Sequence, residues 1–268
     1  MQRRILIVDD HDDLKTALSK VFTEVGFIVE TAESRDEALK LKPEKDFDLV
    51  ITDLDGEKAF PRENGKKENN CLPIREAEEL NRSYIRVFKI CAINYRRENF
   101  DESELKNLVE TILNYKLKFV DKTPTVRQIR EKIEFEIPSA ISLMHSILEY
   151  LVKRVEKVGV VNSENSNLFI ALDEAFVNAV KHGNKFDAAK NVRIAADISP
   201  KEARFTVEDE GEGFDVNAIP DPLDPENLFK TSGRGVLLIH NIMDEVRYNE
   251  RGNRLEMIKR NETEKAKR

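Results

Sequence analysis

The sequence predicts two domains of different class, an α/β doubly wound unit followed by an α+β sandwich. Three observations predict it. Over the first half, short apolar runs alternate with amphipathic stretches, the rhythm of parallel β-α units packed on both faces. Over the second half, two helical stretches lead into three or four segments that read as antiparallel strands. Between the halves, "VDKTPTVRQIREKI" carries a proline and mixed charge, which marks a junction near 120–132, either a solvated linker or a short helix. At 268 residues the chain is long enough for two ordinary domains.

The first-half elements follow in order. "RILIVDD" is a buried strand ending in acids, and "DDLKTALSKVFTEVG" is a helix with Leu14, Leu18 and Val21 at helical spacing and Gly26 as its stop. "FIVETA", a helix "SRDEALKLK" and the apolar "FDLVITDLDG" continue the alternation. It breaks after Gly56: residues 57–82 are polar, with room for one helix at 74–81. "YIRVFKICAIN" is strand-like again. "DESELKNLVETILNYKL" closes the half as an amphipathic helix with Leu105, Leu108, Val109 and Ile112 on one side.

In the second half, "EFEIPS" reads as a strand, and helices are expected over 140–157 and 163–182, the second ending at Gly183. "NVRIAADIS", "EARFTVEDEG" and "EVRYNERGNRLEMIKR" are strands, the last pair turning at Arg251-Gly252-Asn253.

Composition narrows the function classes. The chain is 40% hydrophobic and 35% charged with a net charge of −7, which argues against a nucleic-acid binder with a basic footprint. No apolar run approaches the roughly 18 residues of a membrane span. The N-terminal apolar stretch meets Asp9 and Asp10 after four residues, too soon for a signal-peptide core. Cys71 and Cys91 show neither CxxC spacing nor a Cys/His cluster, so neither a disulfide framework nor a zinc site is expected, and the cytoplasm is the simplest compartment.

Three segments of the second half carry chemistry. In "ALDEAFVNAVKHGN", a wheel at about 100° per residue gathers Phe169, Leu172, Phe176 and Val180 on one face. It leaves Glu174 and Asn178 nearly opposite. Taken alone, that describes the wet side of an amphipathic helix. "TVEDEGEGFD" runs a strand into Asp209, with Gly211 and Gly213 behind it; paired glycines let backbone approach a ligand, and a buried aspartate can accept from an exocyclic amine. A plain turn after an edge strand would look the same. In "KTSGRGVLLIHNIM", Ser232, Gly233, Arg234 and Gly235 open a helix whose free amides form an anion site, unless Ser232 is only a cap. Neither a Walker A motif nor a GxGxxG opening a βαβ unit is present.

Together and in order, these segments resemble the N, G1 and G2 boxes of the GHKL ATPase/kinase superfamily, in particular its anti-sigma-factor serine kinase branch, over roughly residues 132–260. The resemblance implies ATP and Mg²⁺ as cofactors, Asn178 as the Mg²⁺ ligand and Glu174 as general base. Asp209 is implied as the adenine anchor, with Gly211 and Gly213 as pocket wall. Residues 232–235 (Ser232, Gly233, Arg234 and Gly235) are implied to hold the phosphates under a lid at 219–231. It also implies an anti-sigma-factor antagonist of the sulfate-transporter/anti-sigma-antagonist fold as substrate, a sigma factor as a further partner, and room for a homodimer. One departure is visible: Asn253 follows Gly252 where that family often has threonine.

His145 in "ISLMHSILEYL" raises the alternative of a histidine kinase, but Ser146-Ile147-Leu148 follow it in place of the acid and proline of that family's H box, and a structural histidine is expected. A non-catalytic ATP-binding partner switch is the other rival, and the presence of Glu174 argues against it.

In the first half, Asp9, Asp10 and Asp53 end two strands that a doubly wound sheet places side by side, at the edge where ligands bind. This half resembles a response-regulator receiver domain over about residues 3–118. That implies Asp53 as phosphoacceptor, Asp9, Asp10 and Asp53 around Mg²⁺, and an upstream histidine kinase. The lysine expected after the last strand is absent from "RRENFDESEL", where Arg96 or Arg97 is the available substitute, so a degenerate receiver is expected. The chain thus divides into a receiver-like domain at 1–119, a linker at 120–132 and an ATP-binding domain at 133–262.

Overall fold

The computed structural model describes residues 3–41, 47–56, 71–72, 85–92, 101–121, 130–162, 167–215 and 234–261. The chain divides into two units, Met1–Pro138 and Ser139–Arg268. The expected loop and helix over 57–82, apart from Cys71 and Leu72, lie outside the described residues, as do Arg96, Arg97, residues 122–129 of the 120–132 junction and the lid at 219–231.

In the first unit, β1 (Arg4–Asp9) is buried on both faces, as a near-continuous apolar run in a parallel sheet should be. β2 (Ile28–Ala32) and β3 (Leu49–Asp55) flank it in parallel, with α1 (Asp12–Val25) and α2 (Arg35–Leu41) between the strands. Leu6, Val8, Val50 and Leu54 pack with Ala38 of α2 into one cluster. Leu14, Leu18 and Phe22 bury the inner face of α1, while Val21, which its spacing assigned to that face, is exposed.

The next strand departs from expectation. β4 (Ile85–Cys91) runs antiparallel to β3, and β5 (Arg130–Pro138) lies parallel beside β4, so the sheet order in this unit is β2-β1-β3-β4-β5. The all-parallel reading therefore holds for β1 to β3 and fails at β4. Apolar patterning identifies a strand but carries no direction, which the path of the connection decides.

α3 (Glu102–Tyr115) begins where the Asp101 carboxylate accepts from the Ser103 and Glu104 amides, and it buries Leu105, Leu108, Val109 and Ile112. It runs on into a π-turn at Lys116–Val120. Cys71 and Cys91 are joined by a disulfide, their Cα atoms 5.8 Å apart. This corrects the unpaired reading: chain spacing does not encode the proximity that β4 supplies.

In the second unit, β6 (Asn191–Ile198), β7 (Glu202–Asp209), β9 (Arg254–Arg260) and β8 (Glu245–Tyr248) neighbour one another in that order, all antiparallel. Val192, Ile194, Ala196 and Ile198 are buried at alternate positions of β6, which gives that strand one packed face. α4 (Met144–Val158) and α5 (Leu168–Asn178) contribute Ile147, Leu151, Leu168, Leu172 and Phe176 to the core, and α6 (Arg234–Ile242) lies against α5. α5 is shorter than the expected 163–182 helix. After Asn178 it widens into a π-turn at Ala179–Gly183, closed by the Asn184 amide on the Ala179 carbonyl. Among the described residues, no helix is long and apolar enough to cross a membrane.

Candidate functional site

The second unit gathers most of its candidate residues in two places. On α5, Leu172 and Phe176 are fully buried, whereas Glu174 and Asn178 are half-buried. They face the first turn of α6: a methyl group on Gly235 would collide with the Glu174 carboxylate and stand 3.8 Å from Asn178 Nδ2. The absent side chain at Gly235 is therefore what lets α6 approach this pair. Ser232, Gly233 and the side chain of Arg234 lie outside the described residues.

The other gathering is around Asp209, at the end of β7. The Gly211 amide donates to Asp209 Oδ1 at 2.8 Å, and among the described residues the second oxygen accepts no hydrogen bond. Gly183 packs its bare Cα directly onto this carboxyl group. Burial pushes the Asp209 pKa up, partly offset by the Gly211 amide. Substituting Gly183→Ala drives a methyl into the carboxyl group; if Asp209 anchors adenine as the resemblance implies, ATP affinity falls about tenfold or more. Equilibrium dialysis against ATP checks it, and unchanged affinity would remove Asp209 from the binding site.

Three residues that sequence reasoning passed over, or noted only as a departure, hold this loop. Asn184 is fully buried; its Nδ2 donates to Ser139 Oγ at 2.6 Å and to the Asn191 carbonyl at 2.8 Å, and its Oδ1 accepts from the Glu210 amide. Asn253, at the threonine position, donates from Nδ2 to the Asp209 carbonyl at 2.8 Å, while its own carbonyl accepts from the Asp209 amide. Arg251 donates to the Gly211 carbonyl at 2.7 Å, and its own carbonyl accepts from the Phe214 amide, so the β8–β9 turn is stitched to the loop carrying Gly211 and Gly213. His145 is exposed on α4 and sets its ring against Phe169, centroids 5.5 Å apart.

In the first unit, the register sets Asp9 directly beside Asp53 at the carboxyl ends of β1 and β3. Asp53 is 1% exposed. Lys116 Nζ lies 2.5 Å from its Oδ2, and the Arg86 guanidinium spans both oxygens at 3.4 Å. Burial pushes the Asp53 pKa up, but Lys116 and Arg86 more than offset it and the net shift is downward. Lys116, at the end of α3, was passed over in the sequence. It follows Leu105, Leu108, Val109 and Ile112 on the same stripe, and a charge continuing an apolar face is the signal that would have found it.

The acids here do not fit a divalent cation shared by Asp9, Asp10 and Asp53. Asp9 caps α1 with both oxygens, accepting from the His11 amide at 2.9 Å and the Lys15 amide at 2.8 Å. Asp10 Oδ2 accepts from the Asp55 amide, and His11 Nε2 lies 2.7 Å from Asp55. Both oxygens of Asp53 already face cationic side chains.

Burial raises the Asp9 pKa to about 6, with the two backbone amides offsetting part of the rise. A raised carboxyl adds stability that is complete below its unfolded value of 3.8 and is lost as pH rises through about 6. Relative to wild type, Asp9→Asn should therefore gain stability between about pH 4 and about pH 7. Urea unfolding at both pH values measures this, and a constant difference between the proteins would contradict it.

Comparison with known proteins agrees with this division. Residues 137–259 match the family model of the histidine kinase-like ATPase domain, and residues 5–65 match that of the response regulator receiver domain, a match that stops short of β4. The chain is similar to serine-protein kinase RsbW of Bacillus subtilis (strain 168), 31% identical over 121 residues, covering 43% of this chain and 76% of that protein. It is also similar to RsbW of Staphylococcus epidermidis, 28% identical over 142 residues, covering 50% of this chain and 89% of the relative. RsbW of Staphylococcus aureus (strain MRSA252) is 29% identical over 138 residues, covering 47% and 85%.

Proposed function

We propose, on the premise that this chain belongs to the histidine kinase-like ATPase family and carries a receiver domain ahead of that part, that it is a receiver-regulated serine/threonine protein kinase of the anti-sigma-factor type. The observation that carries the reading is the pairing of Glu174 with Asn178 against the bare Gly235 at the start of α6. Its substrate is an anti-sigma-factor antagonist of the sulfate-transporter/anti-sigma-antagonist fold. A sigma factor is a further partner, and the cytoplasm, where such a partner acts, is the compartment even though Cys71 and Cys91 are paired.

The residues divide the work as phosphoryl transfer requires, mostly positioning and electrostatics with a placed base. Asp209 holds one oxygen on the Gly211 amide and offers the other to the exocyclic amine of adenine. Gly183, having no side chain, makes room for the Asp209 carboxyl group beside it. Residues 232–235 receive the phosphates at the start of α6, where backbone amides and the helix dipole favour anions. Asn178 supplies a hard oxygen suited to Mg²⁺, which when bound neutralises phosphate charge. Glu174, one turn before it on α5, accepts the proton of the substrate hydroxyl as that oxygen bonds to the γ-phosphorus and the bond to the β-phosphate oxygen breaks, releasing ADP.

Incubation with radiolabelled ATP, Mg²⁺ and a candidate antagonist tests the reading. Phosphoserine or phosphothreonine on the antagonist is the expected result. ATP binding without transfer to any antagonist supports a non-catalytic partner switch, and acid-labile phosphate on His145 supports a histidine kinase.

A further inference from the structure

We propose that Arg86 and Lys116 are built-in counter-ions of Asp53, making the N-terminal half a receiver that operates without a divalent cation at Asp53 and without phosphorylation of Asp53. The cause is the direction of β4. Because β4 runs antiparallel to β3, its first residues lie beside the carboxyl end of β3, and the register sets Arg86 opposite Asp55. A parallel strand would bring its last residues to that edge. The reversal delivers a guanidinium to the place where a receiver needs an open approach to its aspartate.

The ion pairs close on themselves. Lys116 Nζ bridges Asp53 at 2.5 Å and Asp121 at 3.6 Å, and Arg86 bridges Asp53 at 3.4 Å and Asp121 at 3.5 Å. Two cations and two carboxylates thus form a four-membered ring of alternating charge. Arg86 also reaches Asp55 at 3.8 Å. Lys116 sits over the Phe88 ring, 4.6 Å from its centroid, and is 1% exposed. Such a ring holds because Asp53, Lys116 and Asp121 are buried and Arg86 is half-buried, all mutually paired, and removing one cation strands a buried carboxylate.

Phosphorylation at Asp53 would require one of its oxygens to reach the phosphorus of a small phosphodonor, with a cation shared among neighbouring carboxylates. Asp53 is 1% exposed, and both its oxygens face positive side chains. Asp9 spends its two oxygens on the start of α1. A divalent cation entering here would have to displace Arg86 against their mutual repulsion. The proposal concerns the first unit alone and stands whether or not the second unit is a kinase.

The test uses the full chain without nucleotide. Mn²⁺ binding is followed by electron paramagnetic resonance, and labelling by radioactive acetyl phosphate with Mg²⁺ is scored as hydroxylamine-labile phosphate. Wild type is expected to bind no Mn²⁺ that depends on Asp53 and to take up no hydroxylamine-labile label. Arg86→Thr is expected to bind Mn²⁺ about tenfold or more tighter than wild type and to gain label that Arg86→Thr/Asp53→Asn lacks. Wild-type label, or wild-type Mn²⁺ binding, that Asp53→Asn abolishes overturns the proposal. So does a folded Arg86→Thr that behaves as wild type. Should Arg86→Thr fail to fold, the wild-type and Asp53→Asn arms still decide.

Discussion

Glu174→Ala is expected to slow phosphate transfer by about 10²- to 10⁴-fold, the usual contribution of a positioned general base. ATP affinity should change by no more than about threefold. The asymmetry follows from where the side chain stands. Glu174 is half-buried on α5 and directed at Gly235, so truncation opens space at the start of α6 without exposing the core behind Leu172 and Phe176. Asp209, which lies at the end of β7, keeps its Gly211 hydrogen bond in the variant. Asn178→Ala should behave differently and lose Mg²⁺-dependent ATP binding together with transfer. Single-turnover transfer and equilibrium ATP binding on the same preparations separate the two effects. If transfer survives in Glu174→Ala at the wild-type rate, the base lies elsewhere.

Lys116→Met is expected to cost about 3 kcal/mol of stability, the lower part of the range for breaking a buried ion pair by removing one partner. The lower part applies because Arg86 remains 3.4 Å from Asp53. Met replaces the aliphatic stem over Phe88 but leaves the Asp53 carboxylate fully buried with its shorter pairing gone. Lys116→Met/Asp53→Asn should recover most of the loss, because neither half of the pair is then left alone. Urea unfolding of the four proteins forms the cycle. A single-variant loss below about 1 kcal/mol would mean that Lys116 is solvated in solution.

The parts of the fold that were legible in the sequence are those where burial is periodic. β1 reads as a run buried on both faces and α3 as a stripe from Leu105 to Ile112, and each is buried accordingly. The meeting of Asp9 and Asp53 was legible too, because neighbouring parallel strands put their carboxyl ends together. The direction of β4 was not, since alternation is the same read either way. Nor was the Cys71–Cys91 pairing or the role of Arg86, both of which depend on where β4 comes to lie.

The candidate site shows the same limit. Motif order singled out Glu174, Asn178 and Asp209, and α5 and β7 carry them where helix and strand were expected. Asn184 looks like an ordinary turn residue in "HGNKFD", yet its amide ties together Ser139, Asn191 and Glu210 from three stretches of chain. Such a role belongs to tertiary contact, and a linear pattern carries no trace of it.

The π-turn at Ala179–Gly183 has a consequence for how this site tolerates change in length. The wide turn fits one extra residue between Asn178 and Asn184, its last amide reaching back five residues to the Ala179 carbonyl. Deleting one residue within it would let the same amide close on the same carbonyl as an ordinary α-turn, so Asn184 would keep its facing toward Ser139. Glu174 and Asn178, upstream of the turn, would keep their facing toward Gly235. The segment can therefore lose a residue here while both gatherings stay in phase, which a deletion in the regular turns of α5 would not allow.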